Sequence, residues 1–129
     1  MQEEKLRQQI IETARRMNVL GINVNKSGNV SARIRINGID GFLITPTGIA
    51  YEELLPEDIV FIPFEKAIGL KELNRRLPSS EWLMHEKVYR QREDLAAIVH
   101  THSACATALA CHDMGIPPFH YMVAAAGGD

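Results

Sequence analysis

Hydrophobic positions along this chain follow two periods. From residue 3 to residue 20, Leu6, Ile10, Ala14 and Met17 recur at helical spacing among charged neighbours, and Gly21 supplies a stop. The stretch predicts an amphipathic helix. From Val30 to Ile36 the period becomes two, with Val30, Ala32, Ile34 and Ile36 alternating against Ser31, Arg33 and Arg35. That pattern predicts a strand half-exposed on one face. Asn37-Gly38 and Asp40-Gly41 mark a turn, and Phe42 to Thr45 reads as the second strand of an antiparallel hairpin. Pro46-Thr47-Gly48 ends the hairpin, and Asp58 to Phe64 predicts a third strand. Glu65 to Leu77 is polar and reads as a loop. Pro78-Ser79-Ser80 introduces a helix to about Arg92, with Trp82 and Val88-Tyr89 on its buried side. Ala96 to Thr101 reads as a short strand, Ala104 to Cys111 as a helix, and Phe119 to Ala125 as another strand. Strands and helices mix without regular alternation, so the expected class is a layered α/β domain on a largely antiparallel sheet.

Composition narrows the function classes. The chain has 129 residues, 46% hydrophobic and 23% charged, which fits a single domain with its own core. A net charge of -2 argues against a nucleic-acid surface. No apolar run approaches the roughly 20 residues a bilayer span needs, and the polar opening Met1-Gln-Glu-Glu-Lys5 does not read as a secretory signal. Cys105 and Cys111 would point to different faces of one helix, so no mutual disulfide is expected and the reading is of a reduced, cytoplasmic protein. The end, Ala124 to Asp129, stops just past an apparent strand with no closing helix. The domain therefore reads as incomplete at its C-terminus.

Candidate chemistry begins with His100-Thr101-His102. Side chains at i and i+2 of a strand share a face, and two imidazoles held that way can bind one zinc or similar ion. An isolated His-x-His is more often an inert, hydrogen-bonded pair; the neighbourhood gives this one its weight. Glu81 stands in the first turn of the preceding helix, where the dipole alone would favour a carboxylate and where a general base could also sit. His85 shares that helix face and reads first as a packed side chain, with orienting the carboxylate or ligation as alternatives. A catalytic zinc normally takes three protein ligands, and neither His85, His112 nor His120 has a spacing that marks it as the third. Three segments are suited to an anion: Ser27-Gly28-Asn29, Thr47-Gly48 and Ser79-Ser80. Each alone reads as a turn or cap. Tyr121, after Pro117-Pro118, offers a phenol proton.

Taken together, Gly28-Asn29-Val30-Ser31, Leu43 to Ile49 with Tyr51-Glu52, Pro78 to Trp82, Val99 to His102, and Ile116-Pro117 with His120-Tyr121-Met122 resemble the class II aldolase and adducin-type family in the family's order. The resemblance implies a three-layer α/β/α sandwich on a mainly antiparallel sheet, of which residues 1–129 would form the N-terminal portion. It implies that His100 and His102 bind a catalytic divalent ion, generally zinc, with a third histidine beyond Asp129. By the same likeness Glu81 serves proton transfer or the metal site, while Asn29, Thr47, Gly48, Ser79 and Ser80 hold a substrate phosphate. Tyr121 would act as a proton donor across a subunit boundary in a homotetramer. The implied substrate is a small phosphorylated sugar: a ketose cleaved to dihydroxyacetone phosphate and an aldehyde such as lactaldehyde. A pentulose-phosphate 4-epimerase and a methylthioribulose-phosphate dehydratase share the scaffold. An adducin-like module would keep the fold without metal residues, so intact His100, His102 and Glu81 count against it; an inactive fragment is the other non-enzyme alternative.

Overall fold

A sheet that buries apolar side chains on both faces needs a covering layer on each side. The computed structural model describes residues 2–65 and 74–127, and it has that arrangement. Helix α1 (Gln2–Val19) leads into strands β1 (Asn29–Ile36), β2 (Ile39–Ile44) and β3 (Val60–Pro63). Helix α2 (Trp82–Gln91), strand β4 (Ala97–His100) and helices α3 (Ala104–Cys111) and α4 (Tyr121–Ala125) follow. Two 3-10 turns, Tyr51–Glu53 and Pro56–Asp58, lie between β2 and β3. Among the described residues the strand order is β3-β2-β1-β4, with every neighbouring pair antiparallel. No described helix is long and apolar enough to cross a membrane.

Alternation assigns the faces. Val30, Ala32, Leu43 and Phe61 point to one side, where Ile10, Ile11, Ala14 and Met17 of α1 meet them together with Tyr51, Leu54 and Ile59. Phe42, Ile44, Val60 and Ile62 point to the other, against Tyr89 of α2, with Phe64, Trp82 and Ile98 at the margin. The result is the expected α/β/α layering. The hairpin turn is where Asn37-Gly38 predicts it. Both residues have positive φ, 50° and 82°, as a two-residue turn matched to strand twist requires.

Several expectations are corrected. The polar face of β1 is not a solvent face: Asn29 and Ser31 are buried, and Arg33 stacks 4.8 Å from the Tyr89 ring centroid. The reason is α2, which lies over that face. The buried side of α2 is His85, Glu86 and Tyr89, while Trp82 and Val88 are half-buried. The third strand is shorter than read, because Asp58 closes a 3-10 turn and accepts from the Leu55 N–H at 3.1 Å. Phe119 to Ala125 is not a strand. Tyr121–Ala125 is helical, its first turn capped by the His120 ring accepting from the Met122 N–H; Ala and Met are good helix formers, and no described strand pairs with the segment. The loop read over Glu65 to Leu77 falls mostly on residues 66–73, outside the described residues.

Phe42 is fully buried, its ring 5.2 Å from that of Tyr89. Phe42→Ala is expected to lower stability by about 3–5 kcal/mol. A shifted denaturation midpoint at unchanged slope is the measurement that checks it.

Candidate active site

Antiparallel pairing of β1 with β4 sets Asn29 opposite His100, so both side chains lie on the face that α2 covers. Strand β4 ends at His100. His102 lies beyond the strand end, yet the two imidazoles meet. Their Nε2 atoms are 3.0 Å apart, with the rings nearly perpendicular at 83°. Glu81 occupies the position just before α2 rather than its first turn. Its Oε2 lies 3.3 Å from His100 Nε2 and 3.7 Å from His102 Nε2. The three candidate ligand atoms fall within 4.8 Å of one another, on half-buried residues. Two imidazole nitrogens and one carboxylate oxygen form a donor set suited to zinc or another late first-row divalent ion.

The segment preceding β1 holds the histidines from behind. The Asn23 side-chain oxygen Oδ1 accepts from the His102 backbone N–H at 3.0 Å and from Ser27 Oγ at 3.2 Å. A Cβ at position 28 would stand 2.5 Å from the His100 carbonyl oxygen and 2.6 Å from Asn23 Oδ1, so only glycine allows this approach. The Tyr51 hydroxyl donates to the Gly28 carbonyl and anchors the same segment.

The three anion-suited segments do converge. Pro46 and Pro78 form an isolated antiparallel bridge, and the Ser79 N–H donates to the Thr45 carbonyl at 3.0 Å. Asn29 Nδ2 donates to Ser79 Oγ at 3.0 Å, and Lys26 Nζ donates to the Gly48 carbonyl at 3.1 Å. Thr47, Gly48 and Ser80 are exposed at this junction, while Ser79 is buried. Lys26 was not among the sequence candidates. Its place beside Ser27-Gly28, a cation next to a small-residue loop, was the available signal.

Beneath the cluster runs a buried polar group. Asn29 Nδ2 also donates to Glu81 Oε2 at 2.7 Å, and Asn29 Oδ1 bonds to His85 Nε2. His85 Nδ1 lies 2.7 Å from Ser31 Oγ, which lies 2.8 Å from Tyr89 Oη. His85 is fully buried. It is packed, as first read, with both ring nitrogens hydrogen-bonded, and it is not part of the candidate donor set. Burial, reinforced by the nearby His100, pushes its pKa down to about 4. The other histidines lie apart: His112 and His120 are exposed and outside the cluster. Tyr121, at the start of α4, is 76% exposed, its ring 4.4 Å from that of His120. Cys105 and Cys111 are free and exposed.

A cavity of about 680 Å³ opens beside the cluster, lined by residues 24–27, His102 and the inner side of α3. One of about 720 Å³ lies toward the other end of β1, among Arg33, Arg35, Arg90 and Phe64. His102 is the residue of the cluster that lines the first of these.

The folded chain keeps His85 neutral, whereas an unfolded chain protonates it near pH 6.5. Its contribution is therefore whole above pH 6.5 and is lost as pH falls toward 4, by an amount on the order of 3 kcal/mol. Denaturant unfolding of the parent and of His85→Gln across pH 7 to 4 should show a steeper acid loss in the parent. Parallel profiles would contradict the assignment.

Residues 8–129 match the family described as Class II Aldolase and Adducin N-terminal domain. The chain is 46% identical over its whole length to a 5-methylthioribulose-1-phosphate/5-deoxyribulose-1-phosphate aldolase of Escherichia coli O45:K1 (strain S88 / ExPEC), covering 57% of that protein. It is equally identical to the L-fuculose phosphate aldolase of Escherichia coli (strain K12), covering 56% of it. A solved L-fuculose 1-phosphate aldolase superposes with a TM-score of 0.80 at 34% identity, over 93% of this chain and 54% of that one. The chain thus spans about half the length of the curated relatives it matches.

Proposed function

The chain belongs to the class II aldolase and adducin N-terminal domain family, and from that premise we propose that it carries the metal- and phosphate-binding portion of an aldolase for ketose 1-phosphates. The observation that carries the reading is the convergence of Glu81, His100 and His102 on one point beside the junction of the three anion-suited segments. The relatives are named for phosphorylated ketoses with different tails, and the phosphate is what those names share.

His100 and His102 hold the divalent ion, zinc by the donor set, and a third histidine belongs to the part of the relatives that this chain does not span. When bound, the ion supplies Lewis-acid polarisation of the ketose oxygens. The other roles fall to the chain's own side chains. Thr47, Gly48, Ser79 and Ser80 receive the phosphate, with the Lys26 ammonium at their edge. Asn29 bonds to Ser79 and Glu81 at once, so it ties the phosphate pocket to the carboxylate. Glu81 moves the proton at the carbon beside the carbonyl as the carbon–carbon bond breaks, which yields dihydroxyacetone phosphate and an aldehyde. The exposed Tyr121 serves the aldehyde oxygen of a neighbouring subunit in a homotetramer. A purely structural module would have no need of the Glu81, His100 and His102 set.

Zinc titration of the chain is expected to give about one ion per chain, with His100→Ala and His102→Ala each releasing it. Undiminished zinc in both variants would remove the metal reading. In a form extended to the relatives' full length, Glu81→Gln should retain the fold and most metal, because an amide oxygen can still face the ion. Proton exchange at the ketose-phosphate carbon should drop roughly 10²–10⁴-fold. Exchange within twofold of the parent would show that Glu81 is only a charge at the start of α2.

A further inference from the structure

Four side chains beneath the cluster, Asn29, Ser31, His85 and Tyr89, are each at most 1% exposed. Their bonds have only one consistent direction. Glu81 Oε2 can only accept, so the Asn29 amide must present its Nδ2 to it, as the 2.7 Å contact shows. Asn29 Oδ1 then faces His85 Nε2, and an amide oxygen only accepts, so that nitrogen carries the hydrogen. In a neutral ring the other nitrogen, Nδ1, is bare and must accept from the Ser31 hydroxyl at 2.7 Å. Ser31 has one hydrogen and has now used it. Its 2.8 Å bond to Tyr89 therefore runs from the phenol to Ser31 Oγ. Hydrogen-bond donation thus passes from Tyr89 to Ser31, to His85, to Asn29, and ends on the carboxylate.

We infer that His85 is a positioning residue: held as the Nε2–H tautomer by Ser31 and Tyr89, it turns the Asn29 amide so that Glu81 faces the histidine pair. This rests on the metal reading of the cluster. An apolar side chain at position 85 would leave the buried Asn29 Oδ1 without a donor and Ser31 Oγ without one of its partners, so the residue does more than fill space. Both ends of the Asn29 amide are also occupied, with its two hydrogens on Ser79 Oγ and Glu81 Oε2. A flipped amide would turn its oxygen toward the carboxylate and its NH₂ toward the His85 N–H, which repels at both ends. His85 therefore acts on Glu81 without touching it.

The test uses zinc alone on the 129-residue chain, with His100→Ala measured in parallel. His85→Leu should weaken zinc binding about 10–100-fold, the usual effect of losing a partner that orients a ligand. His85→Gln should recover affinity to within about threefold of the parent, since its side-chain N–H can still reach Asn29 Oδ1. A general loss of packing would not be rescued in that way. Histidine-specific ¹⁵N NMR of the zinc-free parent at neutral pH should show ring 85 as the Nε2–H tautomer. Parent-like affinity in a folded His85→Leu, with zinc lost from His100→Ala, would overturn the positioning role and leave the metal reading standing. Unchanged affinity in His100→Ala would bring down both. Should His85→Leu fail to fold, the Gln variant and the tautomer decide: a Gln variant that loses zinc tenfold or more, or an Nδ1–H ring, overturns the inference.

Discussion

A buried polar group must find a partner or destabilise the fold, and β1 imposes that demand more than any other element here. Its residues Asn29 and Ser31 face the interior between sheet and helix, not water. Each needs a partner that an apolar helix could not supply. Helix α2 answers with His85 and Tyr89, and the segment leading into it with Ser79 and Glu81. No buried side-chain nitrogen or oxygen among the described residues lacks a partner. The docking of α2 is thus fixed by polar complementarity at one end and by Phe42, Ile44, Val60 and Ile62 packing on Tyr89 at the other. The same helix closes the core and builds the floor of the site.

That economy explains where the site lies. Antiparallel pairing gives Asn29 and His100 one face, the strand ends there, and His102 follows two residues on with its ring against that of His100. Rigid elements hold the base of the cluster while only its rim is exposed. The segment before β1 completes the clamp through Asn23 and Gly28, which fit too tightly against the His100 and His102 backbone to admit a side chain at position 28. A candidate donor set held in this manner is oriented by the fold itself.

Size alone would point elsewhere. The larger cavity is rich in arginine, yet its cations are committed to the fold. Arg33 donates to the Tyr89 and Leu95 carbonyls, and Arg90 pairs with Glu86 and donates to the Phe64 carbonyl. These groups close the C-terminal end of α2 and the end of β3. By contrast, the three candidate ligand atoms of the cluster lie within 4.8 Å of one another, and an exposed junction of small hydroxyl residues lies beside it.

Local chemistry determined much of this protein. The 3.6-residue period of α1, the alternation of β1 and the Asn37-Gly38 turn identified the first helix and the hairpin, because each is a response of the backbone to its own side chains. The His-x-His pair, Glu81 and the three small-residue segments were also legible, since their residue types carry the chemistry wherever they fall. The solvent face expected for β1 was wrong, because alternation shows that two faces differ but not what covers the second. The strand expected at Phe119 to Ala125 failed for a related reason: seven residues carry too little period to separate a strand from a helix, and Tyr121–Ala125 is helical, with a cap at His120 and no described strand alongside. Only the tertiary structure decided that the anion-suited segments meet, that Lys26 stands among them, and that His85 lies beneath Glu81 through Asn29. Those relations join residues up to 56 positions apart, and sequence spacing carries no distance across a fold until sheet pairing and helix packing set one.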